Sequence, residues 1–202
     1  PQLHDAAPNN RALDWEIGNP EEMERILSDA HHVTRLTLRN NRVAISPIEP
    51  RAAVGEYDAA SDRFTLHVPT QGVFGFTTEL SERILGIPRE KLRIKTNRVG
   101  VAFGMKSAPY PEYAPVLVAA KHLGRPVKWC DQRCDSFLSD QHGRDSVVEA
   151  ALAVDSHGKF LAARVDGIAN MGAVLSAVGP QVQVNNNFKN LPSVYKLPAI
   201  SL

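Results

Sequence analysis

The chain has 202 residues, enough for one sizeable domain or two small lobes, and its 43% hydrophobic and 22% charged residues give an ordinary globular composition. With 23 basic against 22 acidic side chains, a formal net charge of +1 and no run of like charge, nothing points to a nucleic-acid or membrane-surface partner. No apolar stretch approaches the roughly 18 residues that span a bilayer, and the N-terminus lacks a signal-peptide pattern.

Residues 1–18 are polar and aperiodic and are expected to form an arm or linker, leaving residues 19–202 as the domain. Asn19-Pro20-Glu21-Glu22 predicts a helix start, with an Asn cap, Pro in the first position and acids in the first turn. Met23, Ile26, Leu27 and Ala30 then share one face, and His31 and His32 are expected to close the helix near its C-terminal carbonyls. Adjacent residues on a helix point apart, so this His pair is not a metal site. From Val33 the period becomes two, and Leu36 and Leu38 predict a half-buried strand. Residues 45–51 hold two prolines around Glu49 and predict an irregular edge or crossover. Residues 53–57 and 64–68 flank Asp58-Ala59-Ala60-Ser61-Asp62 and predict a hairpin with a longer loop.

Pro69-Thr70-Gln71-Gly72 ends the second hairpin strand. A helix should follow, with Phe76, Leu80, Ile84 and Leu85 apolar and Gly86 at its C-terminal cap. A strand over residues 92–96 leads into Val99-Gly100-Val101-Ala102-Phe103-Gly104-Met105-Lys106, and a helix is predicted over residues 111–123. The short strand at Pro126-Val127-Lys128-Trp129 comes next. The middle of the chain is thus two successive strand–turn–helix–strand units, with turns at Gln71 and Phe103. If their strands run parallel, both turns lie at one sheet end, where open α/β sheets bind ligands.

A strand, a tight small-residue loop and a helix can offer backbone N–H groups to an anion. Spacing alone also fits an ordinary turn. Met105 separates Gly104 from Lys106, unlike a P-loop, and only two of the three glycines of a dinucleotide fingerprint are present.

Residues 133–138 predict a short helix. The polar loop Ser139-Asp140-Gln141-His142-Gly143-Arg144-Asp145 fits a structural ion-pair turn better than an acid/base site. Residues 146–154 and 159–169 predict a long hairpin about Asp155-Ser156-His157-Gly158. The small apolar run from Gly172 to Pro180 and the Asn185-Asn186-Asn187 run have no predicted place. Cys130 and Cys134 could share one side of a helical turn but lack His neighbours, so they are expected to be half-buried thiols in a reducing compartment, which points to the cytoplasm. The chain opens on Pro1 without Met and stops at Ala199-Ile200-Ser201-Leu202 where a strand begins, so it is expected to be part of something longer.

Three blocks resemble one family. They are Ile48-Glu49-Pro50-Arg51-Ala52-Ala53-Val54-Gly55-Glu56-Tyr57-Asp58, the loop at residues 99–106 with Tyr110-Pro111-Glu112-Tyr113, and Gly124-Arg125-Pro126-Val127-Lys128-Trp129 running on to Phe137-Leu138-Ser139-Asp140 and His142-Gly143-Arg144-Asp145. Together they look like the molybdopterin-binding subunit of the xanthine dehydrogenase/aldehyde oxidase family, which includes the large subunit of aerobic carbon monoxide dehydrogenase.

The resemblance covers nearly all 202 residues but only the first molybdenum-cofactor-binding domain of a longer subunit. It implies an α+β fold, with two-layer α/β lobes and mixed sheets. It also implies a molybdenum–molybdopterin cofactor, in its dinucleotide form, that hydroxylates an aldehyde or N-heterocycle with water-derived oxygen. Electrons would pass to iron–sulfur and flavin subunits or domains; the remainder of the molybdenum subunit is the other implied partner.

By the resemblance, Gln71, followed by Gly72, donates to an oxo group of the metal, and Gly100, Phe103 and Gly104 pack under the cofactor. A neutral amide can do this without adding charge, and backbone amides favour an anionic ligand. No catalytic residue or protein metal ligand is implied within these residues; the family's catalytic Glu base lies outside them.

Two positions depart from the family. Its second and third loop glycines are Val101 and Ala102 here, and Val is costly wherever φ must be positive or a backbone must approach closely. Ser107 stands where the xanthine-oxidising branch has a substrate-binding Glu, which disfavours a purine. A second reading, a non-catalytic fragment or scaffold domain with a degenerate cofactor loop, follows from Val101.

Overall fold

The structure, a computed structural model, describes residues 1–177, 179–183, 186 and 190–202. The chain forms two compact units, one of Pro1–Val43 with Arg144–Leu202 and the other of Ala44–Gly143. The elements are α1 (Pro20–Asp29), β1 (His32–Ala44), β2 (Ala52–Asp58), β3 (Arg63–His67), α2 (Val73–Thr78), β4 (Leu92–Lys95), α3 (Tyr113–Leu123), β5 (Val127–Cys130), α4 (Arg133–Ser139), β6 (His142–Val154), β7 (Phe160–Ala169), α5 (Gly179–Gln183) and β8 (Ala199–Ser201). Two four-stranded sheets, ordered β1-β6-β7-β8 and β4-β3-β2-β5, each mix parallel and antiparallel pairs. This is the α+β class that the sequence predicted.

In the first unit, the Asn19 side chain accepts from the Glu22 N–H at 3.1 Å and Pro20 opens α1. Such a cap contributes about 1 kcal/mol. Met23 and Leu27 pack on Ala151, Ala153 and Ala162, whose small side chains let the helix lie close to the sheet. α1 ends at Asp29, with extended backbone at Ala30, so His31 and His32 do not close it. His32 already belongs to β1, because the alternation that starts at Val33 draws the chain into the sheet. Leu36 and Leu38 are exposed rather than half-buried. Alternation gives a strand two faces but does not supply a layer to cover either.

β6 and β7 form the predicted hairpin, with register pairs from Ser146↔Ala169 to Val154↔Phe160. β6 begins at His142, inside the predicted polar loop, with left-handed backbone at Arg144 and Asp145. At the other edge, Ile17 and Leu202 exchange two backbone hydrogen bonds of 2.9 Å. Residues 1–16 contain one short 3₁₀ turn, Pro8–Asn10. Asn185 and Asn187 lie outside the described residues.

The second unit is built on β2. It pairs antiparallel with β3 and β5, while β3 pairs parallel with β4, so β3, β4 and β5 run in one direction. α3 lies on β2 at Gly55, where a Cβ would stand 2.9 Å from Val116 Cγ1 and 3.0 Å from the Val116 carbonyl oxygen. Gly55 is therefore required by close approach, not by its φ. Around this contact pack Phe64, Leu66, Phe76, Leu80, Tyr113, Val116 and Leu117.

α2 continues into a wider π segment, Glu79–Leu85, which ends at left-handed Gly86, the predicted cap. The wider turn changes the helical phase, and Ile84 is half exposed instead of joining Phe76 and Leu80 inside. α3 begins at Tyr113, two residues later than the sequence suggested, and ends at left-handed Gly124. Cys130 ends β5 and Cys134 lies in α4, so they do not share a helical turn, and both are exposed rather than half-buried. Each stands on a short element at the unit's surface, where nothing among the described residues covers it.

Candidate functional site

Because β3 and β4 are parallel, the turns that follow them emerge at one sheet end. They are also fastened together. The Lys106 carbonyl accepts from the Thr70 hydroxyl at 2.8 Å and from the Gln71 N–H at 3.1 Å. Thr70 is buried, whereas Gln71 and Gly72 are exposed. The Gln71 side-chain amide has no partner among the described residues, and a Cβ on Gly72 would meet nothing within 4 Å.

The loop at residues 99–106 is pinned from its inner side. Glu49 Oε2 accepts from Lys106 Nζ at 2.7 Å and from the Gly100 N–H at 2.9 Å, and the Glu49 N–H donates to the Gly100 carbonyl at 3.2 Å. A Cβ on Gly100 would sit 2.7 Å from Glu49 Cβ, so only glycine fits beneath that carboxylate arm. The Lys106 side chain is wholly buried and that of Glu49 is 39% exposed. Burial alone would raise the Glu49 carboxyl, but the hydrogen bonds from Lys106 and Gly100 outweigh it and hold the group below the ordinary carboxylate range.

From this anchor the backbone turns outward. Val101, Phe103 and Gly104 have φ of 70°, 52° and 91°. For a β-branched residue this is a strained conformation, costing on the order of 1–3 kcal/mol. Ala102 and Met105 point into the core while Phe103 is 71% exposed. No described residue accepts from the N–H of Val101, Phe103 or Gly104, and a Cβ on Gly104 would meet open space. The loop therefore carries an exposed aromatic ring and three backbone donors without a partner among the described residues.

A second cluster supports the loop from below. Arg51, entirely buried, donates through Nε to Asp140 at 2.5 Å, through Nη1 to Glu112 at 2.7 Å, and through Nη2 to Asp131 at 3.2 Å and Ser139 Oγ at 2.8 Å. It joins the chain before β2, the start of α3, the end of β5 and the end of α4. Burial works against the Arg51 cation, but Glu112 and Asp140 more than compensate and keep it protonated. Burial pushes the Asp140 carboxyl up, with Arg51 opposing.

The Arg51 guanidinium lies 4.0 Å from the Tyr110 ring centre. Tyr110 donates its hydroxyl proton to the Met105 carbonyl and accepts from the Gln141 N–H, both at 3.1 Å. Burial raises the Tyr110 hydroxyl to about 12. Sequence reasoning did not single out Glu49 or Arg51. The available signal was a charged pair around Pro50 at the mouth of an apolar strand.

Gln71, Gly72, Gly100, Phe103 and Gly104 thus gather at one sheet end. The polar loop at residues 139–145 contributes ion pairs, as predicted: Asp140 joins Arg51, and Asp145 pairs with Arg42 at 3.0 Å in the first unit. The described residues hold no cluster of His, Cys, Asp and Glu suited to a metal ion, and no helix long and apolar enough to cross a membrane.

The sequence matches the molybdopterin cofactor-binding domain over residues 3–202. It is 31% identical over 165 residues to the 6-hydroxypseudooxynicotine dehydrogenase complex subunit gamma of Paenarthrobacter nicotinovorans, covering 80% of this chain and 20% of that one. It is 29% identical over 172 residues to the carbon monoxide dehydrogenase large chain of Hydrogenophaga pseudoflava, covering 85% and 21%. Its fold superposes on the crystal structure of quinoline 2-oxidoreductase from Pseudomonas putida 86 with a TM-score of 0.82 and 26% identity, over 99% of this chain and 27% of that one. The chain spans about one fifth of the length of these curated relatives.

Proposed function

Because this chain belongs to the molybdopterin cofactor-binding domain family, we propose that it forms one wall of the molybdenum–pterin site in the large subunit of a molybdenum hydroxylase. Gln71, Gly72, Gly100, Phe103 and Gly104 are the contact residues. The observation that carries this reading is the shared Lys106 carbonyl, which holds the Gln71 turn against the 99–106 loop at the common end of β3 and β4.

The residues fit such a group. The uncommitted N–H donors of Val101, Phe103 and Gly104 suit an anionic ligand, Phe103 offers a flat apolar face, and the nearby Glu49 carboxylate is neutralised by Lys106. Gln71 presents a neutral donor. Gly100 contributes differently from the other loop residues: its N–H is committed to Glu49, so it positions the loop instead of donating outward. When bound, the molybdenum–pterin group, in its dinucleotide form, supplies oxidative hydroxylation of an aldehyde or N-heterocycle with oxygen from water.

Iron–sulfur and flavin partners and the rest of the molybdenum subunit complete the enzyme. Ser107, which donates its hydroxyl to the Gly104 carbonyl at 2.7 Å, leaves no carboxylate for a purine at that position. Residues 1–18 are an arm on the cofactor-binding domain of residues 19–202. The two exposed free thiols suit a reducing cytoplasm.

A scaffold role with a degenerate loop is favoured by one observation, the strained φ of Val101. Molybdenum and phosphorus analysis of the full-length subunit, produced with cofactor synthesis intact, separates the two readings. Stoichiometric molybdenum that falls in Gln71→Ala supports the enzyme reading, and its absence from the parent protein overturns it.

A further inference from the structure

Apart from the proposed cofactor wall, the second unit carries a basic pocket of about 210 Å³ on one face of its sheet, lined by Val54, His67, Pro69, Lys95, Arg98 and Lys128 among others. The register assembles it. Lys128 pairs with Val54, Val54 with His67, and His67 with Lys95, so these four residues form one row across β5, β2, β3 and β4. Residues directly opposite on neighbouring strands share a face, and successive residues along a strand alternate. Gly55, next to Val54, packs on α3. The row therefore lies on the face turned away from α3.

The side chains of Lys95, Arg98 and Lys128 have no ion pair or hydrogen bond among the described residues. Nearby on the same face, Glu56 lies 3.4 Å from His67 Nε2, and the next row adds Arg93 opposite Thr65. Four cations thus face one carboxylate, although the whole chain carries a net charge of only +1. A concave wall with an excess of one sign of charge focuses the field and concentrates counter-ions. The outer lysines are three strand spacings apart, roughly 14 Å. That span suits a group with more than one anionic centre.

We propose that this pocket is a binding site for a small phosphoryl oxyanion of diphosphate type, held by Lys95 and Arg98 on one side and Lys128 on the other, with His67 between them. The ligand could be free diphosphate or the diphosphate end of a larger small molecule; their shared chemistry is what the pocket recognises.

The test is calorimetric titration of the full-length subunit at low salt with inorganic diphosphate, inorganic phosphate and a nucleoside diphosphate. Diphosphate is expected to saturate one site and to bind more tightly than phosphate. Lys95→Gln/Lys128→Gln should weaken it by about tenfold or more, while Lys159→Gln, in the other unit, leaves it unchanged. Should the double Gln variant fail to fold, Lys95→Arg/Lys128→Arg keeps the charge and is expected to retain binding.

Tighter binding of the nucleoside diphosphate would identify the larger ligand as the source, and equal binding the free anion; either supports the site. Non-saturable heats, equal affinity in the Gln variant, or displacement by polyglutamate but not by phosphate would overturn it, the last by showing that the face takes an acidic protein surface. Molybdenum content is expected to be unchanged in these variants, so failure here is distinct from failure of the cofactor reading.

Discussion

Glu49→Gln isolates one charge at the base of the 99–106 loop. The amide oxygen can still accept from the Gly100 N–H, but Lys106, whose side chain is wholly buried, loses its counter-ion. Removing one partner of a fully buried ion pair costs about 3–5 kcal/mol. Glu49 is 39% exposed, so water screens part of that interaction, and the expected loss is about 2–3 kcal/mol.

Lys106→Met paired with Glu49→Gln removes both charges and should recover at least half of the loss, because neighbours in one ion pair are strongly coupled. Urea denaturation gives the free energies, and hydrogen exchange at the amides of residues 99–106 shows whether the loop itself loosens. A Glu49→Gln cost below about 0.5 kcal/mol, or strictly additive effects in the double variant, would refute the argument. The pH dependence has a definite sign. The Glu49 carboxyl is depressed in the folded state, so its contribution is present above the ordinary glutamate value of about 4.3 and is lost as pH falls through the lower folded value. Loop protection should therefore decline in acid, below that ordinary value.

Val101→Gly relieves a left-handed β-branched residue, releasing about 1–3 kcal/mol of strain against a flexibility cost of about 0.5–1 kcal/mol. A net gain of about 1 kcal/mol by denaturation is expected, with higher molybdenum content in the full-length subunit; no change in either would show that the parent loop carries no such strain. Tyr110 titrates in the opposite range. Its folded value is raised to about 12, so its contribution is intact below the ordinary tyrosine range near 10 and disappears as pH rises through about 12. The part of the tyrosinate absorbance that Tyr110→Phe removes should develop together with loss of the native near-ultraviolet signal, and its appearance before unfolding would contradict the burial of that hydroxyl.

The features legible in the sequence were those that act over short distances along the chain. Asn19 and Pro20 announced α1, Gly86 and Gly124 marked helix ends, and the two strand–turn–helix units placed Gln71 and the 99–106 loop at one sheet end. Val101 could be recognised as a misfit before its φ of 70° was known, because β-branched residues resist that region. What escaped reading depends on partners far apart in sequence. Arg51 meets Asp140 across 89 positions, and no local pattern distinguishes it from a surface arginine. The basic row is spread over four strands, so a search for charged runs passes over it. The phase slip in Glu79–Leu85 exposed Ile84, because helical periodicity assumes 3.6 residues per turn throughout.

The single oxygen of Lys106 serves two masters, the hydroxyl of Thr70 and the amide of Gln71. Neither turn can be lengthened or transplanted without displacing the other. Anyone moving this pair of turns into a foreign scaffold must carry both segments as one cassette, together with Glu49 to brace it.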